Sequence, residues 1–216
     1  MLSKRLQYIA DMINKDMIVA DIGTDHAFLP VYLAEEGRAK KVYACDNKKG
    51  PLSMAQKHIQ AANVEDRVHT ILSDGLDKVP SDTEVIVIAG MGSELIISIL
   101  DGHLDRFQDL KEIIVQGNTS VHKLRQYISD HAYTITKEAF VEEYKYYQII
   151  CFSLKHSDQP LSKEEIWLGP INLAKREETF EKYLEERYSY LYSLDKEHPL
   201  RDKRELNALK SALRRD

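Results

Sequence analysis

The chain has 216 residues, enough for one well-buried core and a small second unit. With 43% hydrophobic and 30% charged residues but only 9 Gly and 6 Pro, it fits neither a disordered nor a fibrous class. The formal net charge of -5 excludes a broadly basic nucleic-acid coat, so an RNA or DNA partner must meet a local patch.

The first predicted element is a helix over Ser3 to Ile13, where Leu6, Ile9, Ala10 and Ile13 recur at three-to-four spacing. This opening segment has too short an apolar core for a signal peptide, and no later stretch reaches the roughly 20 apolar residues of a membrane span, so a cytoplasmic location is expected. Strand-like runs follow as "MIVAD", "KVYACD", "RVHTILSD", "EVIVIAG" and "EIIVQGN", separated by helical stretches of about ten or more residues. That alternation predicts an α/β fold, a parallel sheet with helices on both faces, because parallel strands need long crossovers. "AYTITKEAFVEEYKYYQIICFSL" then reads as an antiparallel edge hairpin, bringing the sheet to about seven strands.

Beyond Pro160 and Gly169-Pro170 the texture changes to Glu, Lys, Arg, Leu and Tyr. Phe180, Leu184, Leu191 and Leu194, then Leu206, Leu209 and Leu213, predict two helices folded back on each other as a coiled-coil hairpin. The expected division is residues 1–160 for the sheet unit and 161–216 for the helical unit. Cys45 and Cys151 lie in apolar runs without metal-ligand spacing, so they read as buried free thiols and no metal is expected. The basic clusters Lys4-Arg5, Lys40-Lys41, Lys48-Lys49 and the end "RDKRELNALKSALRRD" read first as solvated faces.

Ligands of open α/β sheets lie beyond the carboxyl ends of the strands. A dinucleotide enzyme would place G-x-G-x-x-G after the first strand; here Gly23 stands alone and Asp25 occupies the second glycine's place. A carboxylate there repels a pyrophosphate and suits a cation. S-adenosylmethionine carries an ammonium and a sulfonium, so Asp21 and Asp25 fit its methionine end. Asp46, closing the second strand, is placed for ribose hydroxyls, and Asp74, closing the third, for the adenine amine, with Met91 or Leu76 on the ring face.

"DIGTDHAFLP", "CDNKKGPLSMA", "SDGL", "IAGMGSELI" and "LGPINL", in this order, resemble the bacterial tRNA (adenine-N1)-methyltransferases that modify a D-arm adenine. The likeness covers essentially the whole chain. It implies a Rossmann-like, S-adenosylmethionine-dependent methyltransferase unit followed by a helical coiled-coil unit, with S-adenosylhomocysteine as product and tRNA as substrate. Carried onto matching positions, Asp21, Gly23, Asp25 and His26 line the cofactor turn. Asp46 and Asn47 lie near the ribose, Gly50 and Pro51 open the next helix, Asp74, Gly75 and Leu76 flank the adenine, and Ala89, Gly90, Met91 and Gly92 face the methyl group. Three positions depart from the pattern: Phe28 replaces a tyrosine, Ser93 a repeated glycine, and Gly117 the proline of a "QPN" motif, leaving Gln116 and Asn118.

Adenine N1 has an in-plane lone pair, so positioning should outweigh base catalysis; holding two reactants in near-attack geometry is worth about 7 to 11 kcal/mol. Asp25 or Asn118 is expected to stabilise charge spreading into the methylated ring, over a floor of Gly90 and Gly92. The target base must leave its stack. Phe28 or Tyr147 is expected to hold it, with Lys48 and Lys49 toward the RNA and the basic run 201–215 offering further phosphate contacts. Rival readings are a small-molecule methyltransferase, a non-catalytic RNA-binding protein and a nicotinamide oxidoreductase. The sequence leaves oligomeric state open, with a monomer as the simplest expectation.

Overall fold

The computed structural model describes residues 2–214, so Arg215 of the terminal basic run lies outside the described residues. Helix α1, Lys4–Met12, starts where the Ser3 hydroxyl accepts a hydrogen bond from the Leu6 amide, satisfying one orphan donor of the first turn. Five strands follow, β1 (Met17–Ile22), β2 (Ala39–Asp46), β3 (Val68–Leu72), β4 (Val85–Met91) and β5 (Glu112–Gly117), connected through α2 (Phe28–Glu35), α3 (Lys49–Ala61) and α4 (Ser93–Leu100). Helix α5 (Val121–Asp130) leads into the hairpin of β6 (Tyr133–Glu142) and β7 (Tyr146–His156).

The sheet order is β3-β2-β1-β4-β5-β7-β6, parallel through β5, with β7 antiparallel to both β5 and β6. All five predicted parallel strands and the edge hairpin form, because their β-branched runs are buried on both faces. Successive residues divide between two cores: Val19, Val42, Val85 and Val87 pack on one side, and Ala20, Tyr43, Ile86 and Ile88 on the other. The chain runs outward from β1 to β2 and β3, then returns beside β1 as β4, so a crevice opens at the carboxyl ends of β1 and β4.

Among the described residues, the region after residue 160 holds four helices rather than two: α6 (Lys163–Leu168), α7 (Pro170–Lys175), α8 (Glu178–Ser193) and α9 (Lys203–Ala212). Helices α8 and α9 pair in opposite directions, since Arg187 bonds Glu205 while Arg176, ahead of α8, reaches the Ala212 carbonyl. Phe180, Leu184 and Leu191 meet Ala208, Leu209 and Ala212, with Leu194, Leu206 and Leu213 half-buried at the margin. The pair does not stand free: Phe140 of β6 joins this cluster, and α6 packs against both α5 and α9.

The seam to the sheet is a sealed charge network. Arg125 and Glu138 are fully buried and bonded at 2.8 Å. Arg125 also donates to the Trp167 carbonyl and Gln148 Oε1, and Glu138 accepts from the Ile171 and Asn172 amides. Among the described residues no helix is long and apolar enough to cross a membrane.

Candidate active site

Two cavities meet at the crevice. The first, about 410 Å³, is lined by Gly23, Asp25, Asp46, Asn47, Lys48, Pro51, Ser73, Asp74, Gly75, Met91, Leu95 and Ile99, with Ile22 behind them. The second, about 260 Å³, is lined by Arg5, Leu6, Asp21, Gly23, Thr24, Asp25, Phe28, Leu29, Ala89 and Gly90. They share Gly23 and Asp25, so the turn after β1 forms the wall between them.

That turn is held from below. The Gly23 and Thr24 amides both donate to the Cys45 carbonyl of β2, at 2.8 and 3.0 Å. Gly23 takes a left-handed φ of +75°, and the Met91 methyl lies where its Cβ would be. A side chain there is strained and crowded at once. Asp25 and Ala27 are also left-handed, at φ 50° and 56°, which turns the Asp25 side chain out to 70% exposure. The turn therefore presents a carboxylate to both cavities.

The larger cavity gathers three of the expected acids, Asp25, Asp46 and Asp74. Asp46 Oδ1 accepts the Lys48 amide at 2.9 Å, ordering the start of α3, and Asn47 reaches Asp74 at 3.5 Å. Of the two residues expected on its apolar wall, Met91 lines the cavity and Leu76 does not: Leu76 is fully buried in the core beneath it, because the Gly75 turn sends its side chain inward, and Leu95 and Ile99 complete the wall. Leu95 is 53% exposed on α4, and the spacing of four from 91 to 95 to 99 was the available signal. Gly50 sits exposed in the first turn of α3 without lining the cavity, whereas Pro51 does line it. Lys48, expected toward the RNA, lines this cavity too, and Lys49 is exposed in the first turn of α3.

The smaller cavity has a floor of Ala89 and Gly90, stiffened by amides. Gln116 is fully buried; its Oε1 accepts from Arg5 Nη1 at 2.8 Å and from the Gly90 amide at 3.2 Å. Gln116 Nε2 donates to Asn118 Oδ1, and Asn118 Nδ2 donates to the Gly90 carbonyl at 2.8 Å. Asn118 thus holds the floor from behind and itself lines a third cleft toward the C-terminal helices. Gly92 caps α4 without lining either cavity of the crevice.

Asp21 is buried at the base of the smaller cavity, away from the larger one in which it was expected. Burial pushes its carboxyl up to about 6, which Thr24 and the Arg5 guanidinium only partly offset and Asp46 reinforces. Phe28 stands 52% exposed at the rim, between the rings of His26 and His58 at 5.5 and 5.1 Å. His26 lies outside both cavities, beside Asp25 at 3.7 Å. Tyr147 also lines neither, but it carries Arg5 on its ring. Arg5 is thus the functional candidate that pattern reading left among the solvated pairs.

Residues 2–150 match the family model described as a methyltransferase domain. A Bacillus subtilis (strain 168) protein named tRNA (adenine(22)-N(1))-methyltransferase is 32% identical over 143 residues, 66% of this chain; the match spans 60% of that relative's length. Two solved structures are similar over almost the whole chain. One, a Streptococcus pneumoniae protein described as a candidate tRNA (m1A22) methyltransferase and in complex with S-adenosyl-L-methionine, shares 30% identity at a TM-score of 0.88, covering 99% of this chain and 100% of its own. The other, M. capricolum TrmK in complex with S-adenosyl-homocysteine, shares 32% identity at a TM-score of 0.84, covering 99% and 98%.

Proposed function

The chain belongs to the bacterial tRNA (m1A22) methyltransferase family, and on that premise we propose that it transfers the methyl group of S-adenosylmethionine to N1 of an adenine in the D-arm of tRNA. The observation that carries the reading is the shared wall: Gly23 and Asp25 separate a long acid-lined cavity from a short glycine-floored one, as a donor and an acceptor meeting end to end require.

The residues of the larger cavity fit the cofactor by charge and shape. Asp46 and Asp74 stand where a nucleoside offers ribose hydroxyls and an exocyclic amine, and Met91, Leu95 and Ile99 offer an apolar face to a purine. A lone glycine and three carboxylates favour a cationic ligand over a pyrophosphate. S-adenosylmethionine supplies a methyl group made electrophilic by its sulfonium.

In the smaller cavity the protein's task is orientation. Adenine N1 attacks with an in-plane lone pair, so no side chain has to remove a proton first. Gly90 adds no bulk to the floor, and the Gln116–Asn118 amide pair fixes its backbone. Methylation leaves the adenine positively charged; Asp25, with Asp21 ionised above about pH 6, places negative charge beside it. Phe28 at the rim offers a ring face to a base turned out of its stack. The helical unit after residue 160 shares the cleft beside Asn118, and its exposed Lys203 is available for a peripheral phosphate contact.

The test uses unmodified tRNA transcript and labelled S-adenosylmethionine, with nucleoside analysis and reverse-transcription mapping. Label should appear as 1-methyladenosine at D-arm position 22, and a transcript lacking that adenine should stay unlabelled. No label, or label unchanged in the variant transcript, overturns the assignment.

A further inference from the structure

Several cations of the C-terminal half are matched by carboxylates. Arg176 pairs with Glu181, Lys182 with Glu142, Arg187 with Glu205 and Arg204 with Asp202. Two further cations share one aromatic ring beside the acceptor cavity, which Arg5 lines. The Arg5 guanidinium lies 5.7 Å and the Lys145 ammonium 5.1 Å from the centroid of the same ring, Tyr147. Among the described residues neither makes an ion pair with a carboxylate.

We propose that Arg5 and Lys145, gathered on Tyr147, form a clamp for a backbone phosphate of the RNA strand whose base enters the acceptor cavity. The inference rests on the methyl-transfer reading and deepens it, naming the contact that holds the turned-out nucleotide.

The clamp is built from two distant parts of the chain. Arg5 lies in the first turn of α1, Lys145 in the β6–β7 turn, and the Lys4 amide donates to Glu143 at 3.0 Å, stitching those two segments together. Each cation gains from the ring, and a phosphate within reach of either adds a charge-assisted contact. Arg5 commits one nitrogen to Gln116, leaving the rest of its five-donor fork for an anion. The position is that of a phosphate: Arg5 lines the acceptor cavity, so a strand inserting its base there brings its sugar–phosphate to the rim. Tyr144, 92% exposed at the hairpin tip, and Phe28 across the cavity offer ring faces to neighbouring bases.

The test is tRNA binding as a function of salt, with steady-state kinetics, on full-length protein. Lys145 is exposed, so its substitution leaves the core intact. Lys145→Ala should lower the slope of log affinity against log salt by about one. The KM for tRNA should rise about fivefold at ~0.15 M salt, the weight of one counterion released per phosphate contact. kcat and S-adenosylmethionine affinity should hold, and Lys145→Arg should restore the slope. Arg5→Lys should keep the slope near that of the parent protein while raising KM, since charge remains and the fork is lost. Lys111→Ala, at the opposite ends of the strands, should change nothing. An unchanged slope in Lys145→Ala, with the parent protein still methylating tRNA, overturns the clamp and leaves the methyltransferase assignment standing. Failure of the parent protein to bind tRNA overturns both.

Discussion

The crevice at the strand ends and the seam under the C-terminal helices use the same side chains to opposite ends. In the seam, the Glu138 carboxylate is enclosed by Arg125 and two backbone amides, its charge matched. In the crevice, Asp25 is 70% exposed between two cavities, and Asp21 is buried with its acidity weakened. A carboxylate is structural where the fold supplies its counter-charge and ligand-seeking where it does not. Residue type alone does not separate the two; packing does.

The sharpest way to break this contrast is to remove one partner in the seam. Arg125→Met should cost about 3–5 kcal/mol of stability in urea unfolding, because Glu138 is left charged without its partner, and adding Glu138→Leu should return most of the loss. A small loss in the single variant would mean that water reaches the seam.

The crevice should behave in the reverse sense. The folded-state pKa of Asp21 lies above its unfolded value of 3.8, so a cost to folding builds as the pH rises from about 4 and is complete above about 6. Asp21→Asn should therefore stabilise the protein at pH 7.5 by as much as about 3 kcal/mol, since each tenfold change in proton affinity is worth about 1.4 kcal/mol. The gain should fade as pH falls from 6 toward 4, while methyl transfer drops. A variant that is destabilised at pH 7.5 would sink the claim that this carboxylate is held for function.

A smaller effect lies between the regions. A Cβ at Gly117 would collide with Ser93 Oγ, which donates to the Thr119 carbonyl, and lie 3.1 Å from a Leu124 methyl. Gly117→Ala should cost about 1–3 kcal/mol from overpacking. Ser93→Gly in the same chain should recover much of it, as a double-mutant cycle would measure. Two departures from the family pattern thus occupy one space. The smallest change is expected for Lys203→Ala, whose effect on the salt slope for tRNA should fall below that of Lys145→Ala.

The sheet was legible because buried parallel strands need long β-branched runs, and those announce themselves. The acids at the ends of β1, β2 and β3 were legible for the same reason: strand ends locate them. Leu76 was not, since the turn at Gly75, φ +49°, decides which way it points. Helices α6 and α7 are six residues each, shorter than the window in which helical periodicity shows. Arg5 gave no signal because a basic pair reads alike whether it faces water or a cavity; only Gln116 and Tyr147, more than a hundred positions away, distinguish the two.

That distance orders events during synthesis. The donor side is complete once the ribosome has delivered the chain through α4, whereas Arg5 must wait for Gln116 and then for the last two strands. Closing so long a loop carries an entropic cost that short-range pieces escape. The acceptor wall is thus the last part of the crevice to set, and on heating it should be the first to loosen, with amide exchange in α1 outpacing that in β1.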